Sequence, residues 1–109
     1  MRKMKPAAWL ALVLMSMPAH ADLSYQLEQL IGYTIVDVKT VEGWYDEDGE
    51  KGDSFEGCDY GRVIVFSDDR ILECSTYHYR YAYRPRAVIL SNGSSFKMIV
   101  DDHVYDMRR

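Results

Sequence analysis

The sequence predicts a mainly β domain of α+β type. One short N-terminal helix precedes five or six antiparallel strands, curled into a barrel or half-barrel of SH3-like or OB-like size. Three observations carry this. Short runs of β-branched and aromatic residues are separated by clusters of Gly, Asp, Asn and Ser. Strands do not alternate with helical patterns, which argues against a parallel sheet. Two turn signals near the C-terminus, Asn92-Gly93 and Asp101-Asp102, both keep one apolar face in register.

The first twenty-one residues read as an export signal, not as part of the fold. Arg2, Lys3 and Lys5 open it, Ala7 to Met15 is unbroken and apolar, and Ala19-His20-Ala21 offers small residues for a peptidase cutting after Ala21. The apolar run is shorter than the ~20 residues a membrane span needs, and no later run reaches that length. Residue 22 is Asp, so there is no cysteine for a lipid anchor. The mature chain, 22–109, is one small β-rich domain, expected in the periplasm or secreted.

Leu23, Leu27, Leu30 and Ile31 follow helical spacing, and Gly32 suits the end of a helix. This helix is expected to lie over one mouth or face of the sheet. Tyr33 to Val41 half-alternates, with Thr34, Val36, Val38 and Thr40 on one side and Asp37 and Lys39 on the other. Asp46 to Asp53 has no apolar residue and reads as a solvated loop. Its acids suggest calcium, but the placing of glycine and glutamate does not match a helix–loop–helix calcium site.

Arg62 to Phe66 and Arg70 to Thr76 read as a hairpin. The near-continuous Val63-Ile64-Val65-Phe66 suggests a strand buried on both faces at the centre of the sheet. A further strand runs from Pro85 to Ser91. A two-residue turn at Asn92-Gly93 would set Ile89 opposite Phe96 and Ala87 opposite Met98. A tight turn at Asp101-Asp102 would set Ile99 opposite Val104 and Met98 opposite Tyr105. The shared apolar face is Ala87, Ile89, Phe96, Met98, Val100, Tyr105 and Met107.

Two cysteines in an exported chain predict one disulfide, Cys58 to Cys74. A turn centred on Asp68-Asp69 places Val63, not Cys58, across from Cys74. The bridge therefore requires the segment between Gly57 and Gly61 to fold back over the strand.

Charge narrows the partners. The chain carries 13 basic and 17 acidic residues, and losing the signal's three basic groups takes the net charge from −4 to −7. Neither nucleic acid nor an anionic lipid surface is expected as a general partner. The charge is uneven: Arg80, Arg84 and Arg86 form a basic cluster without an acid among them, whereas Glu42 to Asp59 is strongly acidic.

Within that basic stretch Tyr77, Tyr79, Tyr81 and Tyr83 alternate with His78, Arg80, Ala82 and Arg84. In an extended chain the tyrosines share one face. Such a stripe ordinarily packs on a core. Exposed, it would give stiff amphipathic contacts beside forked donors for carboxylates. The candidate binding residues are therefore Tyr77, Tyr79, Arg80, Tyr81, Tyr83, Arg84 and Arg86.

Catalytic machinery is not legible. There is no G-x-S-x-G, both cysteines are expected to be bonded, and His78 and His103 do not stand at zinc-ligand spacing. Asp101, Asp102 and Asp106 beside His103 would favour its charged form. A ribonuclease-like trio of Glu73, Arg80 and His103 would need a shared concave face. The expectation is a non-enzymatic binding module without cofactor or metal. Its partner would be another protein, with the module as inhibitor or envelope accessory factor. Stacked tyrosines would also suit a cell-wall polysaccharide, and acidic loop on basic strand would suit a self-associating envelope protein. Amino-terminal sequencing of the exported protein should begin Asp22-Leu23-Ser24; a chain that keeps Met1 after export would refute the cleavable signal.

Overall fold

The computed structural model describes residues 23–109, and the signal segment read from the sequence lies outside them. Helix α1, Leu23–Glu28, is followed by β1, Thr34–Tyr45; β2, Lys51–Gly52; β3, Val63–Phe66; β4, Ile71–Cys74; β5, Arg86–Ser91; β6, Phe96–Val100; and β7, His103–Arg108. The seven strands form one antiparallel sheet in the order β2-β1-β3-β4-β7-β6-β5. Strand β1 also pairs with β5, so hydrogen bonds run all the way round a barrel-like ring.

The ring closes because β1 is long enough to serve two neighbours. Val41 to Tyr45 pair with β3, and Thr34 to Thr40 pair with β5. The register shifts between Ile35 and Asp37 and again between Val41 and Gly43, as a strand must when it bends from one partner to the next. The interior is filled by alternate residues of the ring: Val41, Ile64, Phe66, Leu72, Ala87, Ile89, Met98, Val100, Tyr105 and Met107 are all buried.

Several sequence expectations shift. The strand count is seven because the acidic loop returns through two paired residues, with Gly52 opposite Trp44. Strand β3 is buried on one face only. Ile64 and Phe66 point inward, while Val63 and Val65 stay half-exposed, since a closed ring has no central strand covered on both sides. The face predicted for early β1 is not core either: Thr34, Val36 and Val38 are exposed, and burial begins at Val41.

The β3–β4 hairpin is one residue out of the expected register. Val63 faces Glu73 and Ile64 faces Leu72. The loop has three residues, because Asp69 takes a left-handed backbone (φ 70°) while the Asp68 carboxylate accepts from the Arg70 amide. Cys74 consequently exchanges backbone bonds with Arg62 and Gly61.

The β5–β6 turn is also longer than expected. Ser91 faces Phe96, Ile89 faces Met98 and Ala87 faces Val100. The Asn92 side-chain oxygen accepts from the amides of Ser94 and Ser95, which organises a four-residue loop in place of a two-residue turn. The slip is two positions, so every side chain keeps its face. The β6–β7 pairing stands as read, with Met98 opposite Tyr105 and Ile99 opposite Val104.

The two mouths of the ring differ. One is crossed by a ribbon in which the segment around Phe55 and Cys58 pairs antiparallel with the segment around His78 and Ala82. Phe55 and Cys58 are fully buried there, and Phe55 meets Tyr105 edge-on with ring centroids 5.5 Å apart. The Cys58–Cys74 disulfide ties the ribbon to the end of β4. Helix α1, expected as the cap, buries none of its residues. Six residues are too few to hold a helix unaided, and the mouth is already filled from within the sheet's own connections. The Cys58→Ala, Cys74→Ala double variant should lose about 3 kcal/mol of unfolding free energy in denaturant titrations. A loss below about 1 kcal/mol would show that the bridge is not what holds the ribbon.

Candidate functional site

The ribbon positions the residues singled out in the sequence. Phe55 and Ala82 exchange two backbone hydrogen bonds, as do Cys58 and His78. His78 and Ala82 thereby face the ring, and the alternation turns the tyrosines outward. Tyr77, Tyr79, Tyr81 and Tyr83 are 60, 62, 56 and 70 % exposed. The ordinary reading of an aromatic stripe as core does not hold here. Its inward places are taken by His78 and Ala82, and the space beneath is already filled by Phe55, His103 and Tyr105.

The ribbon's two segments lie very close. At Gly57 the backbone is left-handed (φ 85°), and a Cβ would stand 2.2 Å from the His78 carbonyl oxygen and 2.8 Å from the Tyr79 Cα. Only glycine fits. The opposite edge of the tyrosine segment is open. Neither the amides nor the carbonyls of Tyr77, Tyr79 and Tyr81 make a hydrogen bond among the described residues.

The arginines divide. Arg80 turns inward and reaches the β6–β7 turn, 2.8 Å from Asp102 and 3.6 Å from Asp101, so it anchors the segment. Arg84 adopts a left-handed backbone (φ 40°), which ends the extended run. Its amide donates to the buried Ser54 hydroxyl and its Nε to the Asp53 carbonyl. Arg84 and Arg86 are exposed at the end of the stripe, and neither forms an ion pair among the described residues.

The acidic loop lies beside the stripe in the same chain, through Asp53. At its other stem Arg62 holds Asp46 with two bonds, 2.7 and 3.0 Å, and lies 3.8 Å over the Trp44 ring. The carboxylates of Asp46, Asp48 and Glu50 come within 4.8 Å of one another, but both oxygens of Asp46 already accept from Arg62.

Sequence reasoning missed a histidine pair. His78 and His103 stack face to face, centroids 3.6 Å apart and planes 6° from parallel, with Tyr105 edge-on beneath them. The neighbouring acids do not prevail at His103. Burial lowers its pKa below the usual 6.5, and His78 and Arg80 reinforce this against Asp102 and Asp106. Asp106 is drawn away to Lys97, and Asp102 to Arg80. Burial likewise pushes the Tyr105 hydroxyl up to about 12.

The trio Glu73, Arg80 and His103 is not assembled. Glu73 pairs with Arg108, 2.5 Å away and five residues along β7 from His103, a separation of roughly 16 Å in a strand. Glu73 is therefore not brought to the histidine. No protein family, curated protein sequence or solved structure matches this chain. Among the described residues no helix is long and apolar enough to cross a membrane.

The opposite mouth of the ring opens into a cavity of about 450 Å³. Its lining joins the core residues Phe66, Leu72 and Ile89 to exposed or charged ones, among them Val36, Asp37 and Arg70.

Burial of His103 makes stability depend on pH. Because the folded pKa of His103 lies below the unfolded one, the unfolded chain binds more protons between the two values. Unfolding free energy therefore falls as pH drops through 6.5 and below. The lowered carboxyl pKa values of Asp37 and Asp68 act at lower pH. Thermal melts across this window should show a decline that His103→Phe, which keeps a ring in the stack, reduces. An identical decline in the variant would contradict the assignment.

Proposed function

We propose that the protein is an exported, non-enzymatic binding module of the cell envelope, retained in the periplasm or secreted, that recognises another protein through the Tyr77–Arg86 stripe. The single observation that carries the reading is the outward alternation of four tyrosines on a segment whose backbone edge is also unpaired. Exposed aromatic side chains in such a row have a cost in water that a folded chain ordinarily avoids. Tyrosine supplies wide contact area while losing little conformational freedom, and it is enriched among residues that dominate interface energy.

The open edge favours a protein partner over a polysaccharide. Unpaired amides and carbonyls at Tyr77, Tyr79 and Tyr81 are what an extended peptide requires to add as a further strand, with the alternate side chains reading its sequence. Arg84 and Arg86, without an ion pair among the described residues, would favour an acidic residue at the matching end of the partner. The backing suits the role. A disulfide, the close approach at Gly57 and the anchored Arg80 hold the stripe in place before binding, which reduces the entropy lost on association.

The acidic loop borders the same surface through Asp53 and Arg84. An association of two copies through loop and stripe would accordingly be reciprocal, not head-to-tail.

The test compares the oxidised mature protein with a Tyr79→Ser, Tyr81→Ser variant, both immobilised and exposed to envelope extract. A protein retained by the first should be identified, purified and titrated against both. Loss of two central rings should weaken binding by about tenfold or more while the melting temperature is kept, since both side chains are exposed. Equal binding by the variant would overturn the reading.

A further inference from the structure

We propose that the open mouth of the ring is a binding cup for a single-tailed amphiphile, with the apolar tail inside the ring and an anionic head held by Arg70 and Arg109. The cup lies at the far end of the strands from the tyrosine stripe, so the inference does not rest on the protein-recognition reading.

The shape follows from the topology. The ribbon closes the mouth where β4 ends and β7 begins. The other mouth, between the β3–β4 and β5–β6 turns, has no such cover among the described residues and opens as a cavity of about 450 Å³. That volume lies within the range that small-molecule sites occupy, roughly 300 to 1,000 Å³. Its floor is core: Phe66, Leu72 and Ile89 are 0, 7 and 3 % exposed. Its walls are apolar residues left in water, Val36 at 54 % and Ile71 at 50 % exposure, with Phe96 half-buried. Covering such walls is favourable by about 25 cal/mol for each Å² removed from water, and nothing within the described chain covers them.

The rim specifies the head group. Lys39 is engaged by Asp37 and Asp68 and is unavailable. Neither Arg70 nor Arg109 makes an ion pair among the described residues, and the Arg109 guanidinium lies 5.1 Å over the Phe96 ring at the cavity wall. Two guanidinium forks beside an apolar shaft match one carboxylate at the end of one chain. Asp69, next to Arg70, and Asp37, paired with Lys39, also line the rim and oppose a head with more than one negative charge.

The probes are decanoate and its neutral counterpart decanol, titrated calorimetrically into the mature oxidised protein below their aggregation limits. The wild-type protein should bind decanoate more tightly than decanol. The Arg70→Gln, Arg109→Gln variant should lose about tenfold or more in affinity for decanoate and bind decanol as before. Val36→Trp, a change at an exposed position, should abolish binding of both by filling the shaft. No decanoate binding by the wild type, or undiminished decanoate affinity in the arginine variant, would overturn the proposal. Protein capture by the tyrosine stripe is read separately and is unaffected by either result.

Discussion

The disulfide between Cys58 and Cys74 is the constraint on which the rest of the architecture depends. It fixes one residue of a long connection to the end of β4, with Cα atoms 5.6 Å apart. From that point the chain must run back across the mouth of the ring, and it carries Phe55 into the core as it goes. The opposing segment has only four backbone hydrogen bonds to this one, at His78 and Ala82. Two irregular connections with so few bonds would not stay ordered alone. The covalent tie restricts their alternatives in the unfolded chain and leaves less entropy to be lost on folding.

The ring itself solves a different problem. A small sheet exposes edge strands whose amides and carbonyls invite further pairing, and closure removes those edges. Here closure depends on one long strand: β1 bends and gives its first half to β5 and its second to β3. Among the described residues, open edges remain at the short β2 and along the outer edge of the tyrosine segment. The first is shielded by acidic residues on either side. The second carries tyrosines, an arrangement that suits recognition better than it suits isolation.

The two ends of the ring thus have opposite chemistry. One is sealed, and the seal turns polar-tipped rings and arginines outward while stacking two histidines beneath. The other is unsealed, with aliphatic and aromatic side chains in its walls and charged ones, among them Asp37, Lys39, Asp69 and Arg70, around them. A single antiparallel ring produces both because strand alternation decides which residues face in, whereas the connections alone decide whether a mouth is covered.

Much of the fold was legible before any coordinates, for a physical reason. Side chains alternate with period two, so the buried face of β5, β6 and β7 follows from sequence even where the loop between β5 and β6 is two residues longer than expected; an even slip leaves parity unchanged. The pairing of the cysteines was legible because the chain has only two. Loop length was not, since it depends on whether a side chain such as Asn92 or Asp68 captures a backbone amide. Nor did local pattern show which side of the tyrosine stripe would face water. That was decided by competition for space: Phe55, His103 and Tyr105, distant in sequence, occupy the mouth first and leave room only for His78 and Ala82. The histidine stack and the open cavity are likewise tertiary, because each is formed by residues brought together only when the ring closes.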